Sequence, residues 1–280
     1  MPERSDAAID PDAFDAFEAA GWEQKASGYD RAFGSMTSQA AEPLLDAASV
    51  ADGTRVLDVA TGPGYVAGRA AARGASAVGV DIAHAMVELA SRLQPGVDFR
   101  EADAHELPFE DASFEAVVGN LAILHLGRPE QAVGEFARVL VAGGRLALTA
   151  WDSPERTPLF GVIVGAVADA GARPPQDIPA GPDFFRFSAD DSFDALLAEQ
   201  GFEERAVTRV PFTARFSSAD ELWDGLLAGT VRMAALIDRQ PVETRRRIRQ
   251  AFDRRLAQYR QADGFEIPVA VKLASGRKPG

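Results

Sequence analysis

Residues 56–64 read VLDVATGPG, an apolar run carrying one acidic residue, Asp58, and closing on Gly62 and Gly64 just before a helical pattern that starts at Tyr65. A strand that enters a glycine-containing turn lets a ligand approach the backbone closely, and the helix that follows offers free N–H groups to an anionic group. The next apolar run, AVGVDI, ends on Asp81, seventeen residues after Gly64. A carboxylate at that point can accept hydrogen bonds from both hydroxyls of a ribose. The nine residues and Asp81 together predict an α/β fold with a turn suited to a nucleoside.

Working outward, short apolar runs alternate with helical patterns from Thr54 onward: RVLDVA, YVAGRAAAR, SAVGVDI, HAMVELASRL, VDFREAD, FEAVVGNLAIL, PEQAVGEFARVL and GRLALTAW. Such alternation implies right-handed crossovers and a parallel sheet covered on both faces. Before it, residues 12–48 hold two helical patterns, Ala13 to Ala20 and Ser38 to Ala48. The intervening WEQKASGYDRAFGSMT, with its glycines and aromatics, is expected to pack irregularly. After Trp151 come a helix near Pro158 to Ala170, a proline-rich loop over 172–188, a helix over 190–200 and a strand in FEERAVTRVPF. Helical patterns from Ala219 to Gln261 precede a last strand, FEIPVAVKLA. The expected organisation is a helical cover over 1–50, a core over 51–151, and the remainder of the sheet over 152–280 with a helical insertion at about 218–262.

Composition narrows the function. A chain of 280 residues with 46% hydrophobic and 25% charged content can bury a substantial core. A formal net charge of −13 opposes attraction to nucleic acid or to an anionic membrane, both of which reward clustered Lys and Arg. Cysteine is absent, which removes disulfides, thiolate nucleophiles and Cys-ligated metals. The opening MPERSDAAIDPDAF has no basic segment followed by an apolar run, so a cytoplasmic location is the expectation, and the closing SGRKPG reads as a frayed terminus. The three histidines fall at 84, 105 and 125, with no metal-ligand spacing, so no metal is expected.

Gly62, Gly64 and Ala67 followed by Asp81 also fit the dinucleotide pattern, and spacing alone leaves an NAD(P)-dependent oxidoreductase open. The wider constellation resembles the class I S-adenosylmethionine-dependent methyltransferases, especially the small-molecule group with the type 11 methyltransferase domain that includes quinone-biosynthesis C-methyltransferases. The resemblance runs from about Tyr29 to Trp151. VLDVATGPG is similar to that family's first motif, EADAHELPF to its third, and RVLVAGGRLAL to its turn before the fifth strand, with Ala142 where proline is usual and Ala60 where many relatives carry glycine. The resemblance implies a Rossmann-like, doubly wound seven-stranded sheet, mostly parallel with an antiparallel last strand. It further implies S-adenosylmethionine as methyl donor, S-adenosylhomocysteine as product, and transfer to an oxygen or carbon of a small metabolite. A nucleoside-binding member of the fold without catalytic activity stays open as a further alternative.

By the same resemblance the donor is held by Tyr29, Asp58, Ala60, Gly62, Gly64, Asp81, Ile82, Met86, Asp103, Ala104 and Asn120. His125, in GNLAILHL just beyond the fourth strand, sits where ligands of open α/β sheets bind and is the candidate base. His84 is expected at the surface or near the donor, and His105 as structural or exposed. Trp22, Tyr29 and Phe33 belong to the cover, and Trp151, Phe184, Phe185, Phe187 and Trp223 are candidates to line an acceptor pocket. The insertion helices suit capping of the site or formation of a homodimer equally well.

Overall fold

The computed structural model describes residues 9–280, so the first eight residues of the expected N-terminal cover, and most of its MPERSDAAID start, lie outside the described residues. Helix α1 (Pro11–Tyr29) continues through a π-helical turn (Asp30–Gly34) and the short α2 (Ser35–Thr37) into a 3-10 turn and α3 (Ala41–Ala47). The core then alternates β1 (Arg55–Val59), α4 (Tyr65–Ala72), β2 (Ser76–Asp81), α5 (His84–Leu93), β3 (Asp98–Glu101), β4 (Phe114–Gly119), α6 (Pro129–Val139) and β5 (Leu140–Trp151). Helices α7 (Pro158–Asp169) and α8 (Asp190–Glu199) lead to β6 (Glu203–Phe216). The insertion follows as α9 (Ala219–Gly229), α10 (Arg232–Asp238) and α11 (Val242–Leu256), and the two-residue β7 (Arg260–Gln261) precedes β8 (Gly264–Arg277).

The sheet order is β3-β2-β1-β4-β5-β8-β6, with β7 attached to β8. Strands β1 to β5 pair in parallel, and β8 runs antiparallel to both β5 and β6. This is the mostly parallel, doubly wound arrangement that the sequence predicts, with β7 as a small eighth strand. In β1, Val56, Leu57, Asp58 and Val59 are all buried, as a strand covered on both faces must be. From β1 the chain turns outward to β2 and β3 on one side, and only later to β4 on the other. The crevice at the carboxyl ends of β1, β2 and β4 is therefore the topological switch point where such sheets bind ligands.

Apolar clusters hold the layers together. One face of the sheet packs Leu44, Leu45 and Val66 of α3 and α4, and the other packs Phe136 and Phe193 of α6 and α8. The insertion has a core of its own around Leu222, Ile237, Ile248 and Phe252, continuous with α7 and β8. Among the described residues no helix is long and apolar enough to cross a membrane.

Two local expectations change. The segment WEQKASGYDRAFGSMT is helical almost throughout, because its glycines serve close packing instead of breaking the helix. A Cβ at Gly28 would run into the backbone carbonyl of Ala228 in α9. The closing SGRKPG is tied down as well: β8 extends to Arg277, and Lys278 exchanges backbone hydrogen bonds with Gly143 and Gly144 of β5 at 3.0 and 2.8 Å.

Candidate functional site

The turn after β1 is built around a buried carboxylate. Asp58 is 1% exposed, and its Oδ2 accepts from the Thr61 hydroxyl at 2.6 Å and from the Ala67 amide at 3.0 Å. Burial pushes its pKa up to about 7, against the lowering effect of these two hydrogen bonds. Asp58 thus braces the turn from behind. Ala60, Gly62 and Gly64 all have left-handed backbones, with φ of +51°, +53° and +79°. For Ala60 that conformation costs about 1–2 kcal/mol, so the departure from glycine keeps the turn's shape at the price of local strain. A Cβ at Gly64 would stand 2.6 Å from Cζ of Phe99, whereas nothing lies within 4 Å of one at Gly62. Gly64 serves packing, and Gly62 fronts open space.

Asp81, at the end of β2, closes the turn from the other side. Its Oδ2 accepts from the Gly62 amide at 2.9 Å and its Oδ1 from the Ala83 amide at 3.0 Å. Asp81 as a whole is 7% exposed; burial raises its pKa, while the backbone amides and the nearby His125 act to lower it. Each oxygen keeps acceptor capacity for a further donor. Beside it Ile82 is 39% exposed, an apolar ledge, and the next wall is Asp103 and Ala104 after β3. Asp103 is pinned by the amide and Nδ1 of His105, both at 2.8 Å, and Ala104 is buried. A buried acceptor with capacity left over, open space at Gly62 and an apolar ledge are the features that can hold the ribose and flat base of a nucleoside.

Four residues that the resemblance assigns to the donor make contacts within the protein itself. Besides Asp58, Met86 is 3% exposed and packs with Ala26, Ala83 and Leu89 under α1. Asn120 donates from Nδ2 to the Thr37 carbonyl at 3.1 Å and accepts the Thr149 hydroxyl at 2.7 Å, so its amide locks the loop after β4 to the cover at one end and to β5 at the other. The same Thr149 oxygen accepts the Leu121 amide at 2.8 Å, holding a residue with φ of +59°. Tyr29 donates to the Thr37 hydroxyl at 3.0 Å. Burial, aided by the negative charges of Asp81 and Asp30, raises its pKa and keeps it a neutral hydroxyl.

Helix α1 crosses the crevice, and its carboxylates fasten it. Asp12 pairs with Arg128 at 2.6 Å, Asp15 accepts the Gly127 amide at 2.6 Å, and Glu23 accepts the Ala85 amide at the start of α5 at 3.0 Å. Between them Glu18, 3% exposed, places Oε2 at 2.8 Å from Nδ1 of His125 and accepts the Trp22 indole N–H at 3.1 Å. His125 is part of a chain of edge-to-face rings: Trp22 at 5.2 Å and Phe184 at 6.4 Å, then Phe160 at 5.2 Å from Phe184 and Trp151 at 5.0 Å from Phe160. Phe185 joins at 5.3 Å from Phe184. Phe187 and Trp223 lie elsewhere, the former buried on Phe193 and the latter half-buried against Phe252 within the insertion. Phe33 packs into the cluster shared with the insertion. His84 is exposed near Glu88 and Glu101, and His105 is buried between Asp103 and Asp15. Among the described residues no cluster of three or more ligating side chains could hold a metal ion.

Sequence reasoning passes over Glu18, Thr37, Thr149 and Phe160. Only Glu18 leaves a trace in the sequence: Phe14, Glu18 and Trp22 recur every fourth residue, which puts a carboxylate in the middle of a largely apolar helical face.

Residues 57–148 match the family model described as a methyltransferase domain. The demethylmenaquinone methyltransferase of Renibacterium salmoninarum is 35% identical over 115 residues, covering 41% of this chain and 48% of the relative. That of Thermus thermophilus is 32% identical over 171 residues, covering 54% of this chain and 75% of the relative. The chain thus spans about half the length of the first and three-quarters of the second. Among solved structures, phosphoethanolamine N-methyltransferase 2 of Haemonchus contortus, in complex with S-adenosyl-L-methionine, superposes with a TM-score of 0.57 at 18% identity. It covers 98% of this chain and 61% of that one, a likeness of fold.

Proposed function

The chain belongs to the class I S-adenosylmethionine-dependent methyltransferases, and from that premise we propose that it methylates an oxygen or an acidic carbon of a small, largely apolar or aromatic metabolite. The observation that carries the acceptor class is the continuous wall of rings formed by Trp22, His125, Phe184, Phe160 and Trp151 at the crevice. A flat apolar acceptor gains from edge and face contacts with such a wall, worth about 0.5–1.5 kcal/mol per ring pair beyond area burial. The relatives are named for demethylmenaquinone, so quinone-class compounds in their reduced form head the acceptors to be tried.

S-adenosylmethionine supplies an electrophilic methyl on a sulfonium that departs as a neutral thioether. The chain's own residues then have three tasks. Asp81, Gly62 and Ile82, with Ala60, Gly64, Asp103 and Ala104 around them, hold the nucleoside. Asp58, Met86 and Asn120 support these residues from behind, and Tyr29 closes the cover as a neutral hydroxyl. His125 takes the proton that the acceptor must lose as the new bond forms. Alignment of this kind contributes about 7–11 kcal/mol when the geometry is a near-attack one, and a placed base adds about a hundred- to ten-thousandfold. The proposed setting is the cytoplasm, with no nucleic-acid or membrane partner; the net charge of −13 supports the latter. A homodimer through the insertion helices belongs to the same proposal.

Calorimetric titration with S-adenosylmethionine, S-adenosylhomocysteine, NAD and NADP, on the native chain and on Asp81→Ala, tests the donor site. Micromolar binding of the first two, lost in the variant, is expected; binding of a nicotinamide dinucleotide instead would overturn the reading. Transfer of labelled methyl to a reduced quinone or a phenol tests the acceptor class, and label found only in protein or nucleic acid would remove it. Tight donor binding without turnover of any acceptor would favour a nucleoside-binding role without catalysis.

A further inference from the structure

We infer that Glu18 is a positioning residue for His125: it fixes the imidazole with its proton on Nδ1, so that the lone pair available to the acceptor is on Nε2. The inference rests on the reading of His125 as the base. A carboxylate has no proton to donate at neutral pH, so the ring nitrogen 2.8 Å from Glu18 Oε2 must carry the hydrogen of that bond. In a neutral imidazole the other nitrogen is then the acceptor. The His125 side chain is 32% exposed, whereas that of Glu18 is 4% exposed. The imidazole is therefore held from the protein side and open on the other.

The cost of this arrangement is visible. Glu18 comes from α1, 107 residues from its partner, and Oε2 also takes the Trp22 indole N–H, which fixes the carboxylate against rotation. Its other oxygen, Oε1, is buried without a hydrogen-bond partner. Burying a carboxylate is unfavourable unless it is fully paired, and an orphaned oxygen adds to that penalty. A helix that needed only to pack would do better with leucine or methionine between Phe14 and Trp22. The charge has a use when His125 becomes cationic on accepting the acceptor's proton, because a buried carboxylate beside an imidazolium offsets the new charge. The balance is simple: the acceptor O–H or C–H proton moves to Nε2, the electron pair it leaves forms the bond to the methyl carbon as that carbon's bond to sulfur breaks with its pair going to the neutral thioether, and the Nδ1 proton stays on the ring facing Glu18.

With only three histidines, ring-nitrogen NMR on histidine-labelled protein can resolve each imidazole, and His125→Gln identifies the relevant signals. In the native protein without acceptor, His125 should be protonated on Nδ1; a ring protonated on Nε2 would overturn the inference directly, with no variant involved. In Glu18→Met, which fills similar space but removes the acceptor of both N–H groups, the Nδ1 preference should be lost, and the melting temperature should hold because a buried charge and its orphaned oxygen have gone while two N–H groups lose an acceptor. With an acceptor, kcat should fall by about a hundredfold or more while KM and donor affinity stay within about twofold. An unchanged tautomer, an unchanged kcat, or a melting temperature that falls with kcat would each refute a positioning role. If the native ring carries its proton on Nδ1 and no acceptor is turned over, the acceptor reading fails while the tautomer stands.

Discussion

Gly62 and Gly64 share one turn and one backbone region, yet the structure gives them different reasons to be glycine, and a pair of alanine substitutions separates these reasons. Both have left-handed φ, +53° and +79°, so Gly62→Ala and Gly64→Ala each incur about 1–2 kcal/mol of backbone strain. Both also gain the same small benefit from a stiffer unfolded chain, which cancels in the comparison. Only at 64 does the new methyl meet atoms: Phe99 Cζ at 2.6 Å, Phe99 Cε1 at 3.0 Å and the Cβ of Ala90 at 3.1 Å. Forcing a methyl into a packed site costs about 1–3 kcal/mol more, so Gly64→Ala should be the less stable of the two by that margin. Urea unfolding followed by circular dichroism, with a common slope, measures the difference. Donor affinity should show the opposite order relative to stability, because the methyl at 62 enters the open space in which the proposed site takes the donor. Equal stabilities within about 0.5 kcal/mol would mean that the Phe99 ring yields at no cost, and the packing argument for Gly64 would be wrong.

Asp58 makes stability depend on pH in an unusual direction for a carboxyl. Its folded pKa, pushed up from 3.8 to about 7 by burial, means that the folded state holds a proton that the unfolded chain has released. The resulting stabilisation is full below about pH 4 and is lost as pH rises through about 7, and thermal melts of Asp58→Asn should lack this fall. Thr149→Val should destabilise by roughly 1–3 kcal/mol per orphaned group, because the Leu121 amide and the Asn120 carbonyl both lose their buried partner. A melting curve checks the cost, and donor affinity should fall with it, since Asn120 is then held only through Thr37.

The shape of the turn after β1 was legible because its requirements are local. A left-handed backbone at 62 and 64, a carboxylate at the end of β2 and an apolar strand on either side all fall within 26 residues, and each leaves its mark in residue type. The sheet was legible for a related reason: strands buried on both faces must be continuously apolar. The cover was not. Gly21 and Gly28 carry the same letter as helix-breaking glycines, and only the approach of Val231 to the first and of Ala228 in α9 to the second shows that they are contact points inside one helix. Phe184 and Phe187 are alike in sequence and three residues apart, yet one joins the aromatic wall at the crevice and the other is buried on Phe193.

The carboxylates of α1 show most clearly where such a limit lies. Asp12, Asp15 and Glu18 follow at intervals of three, and their partners run the other way along the loop after β4: Arg128, Gly127, His125. Glu23, one further turn along, reaches the start of α5 instead. The spacing belongs to the helix and can be read from the sequence, but the partners depend on the angle at which the helix crosses the sheet. One crossing converts a stripe that would ordinarily be a solvated face into four fastenings on both banks of the crevice. Three of them meet charged side chains or backbone amides that any carboxylate could cap. The fourth meets an imidazole, and there a fastening becomes a means of setting where a proton resides.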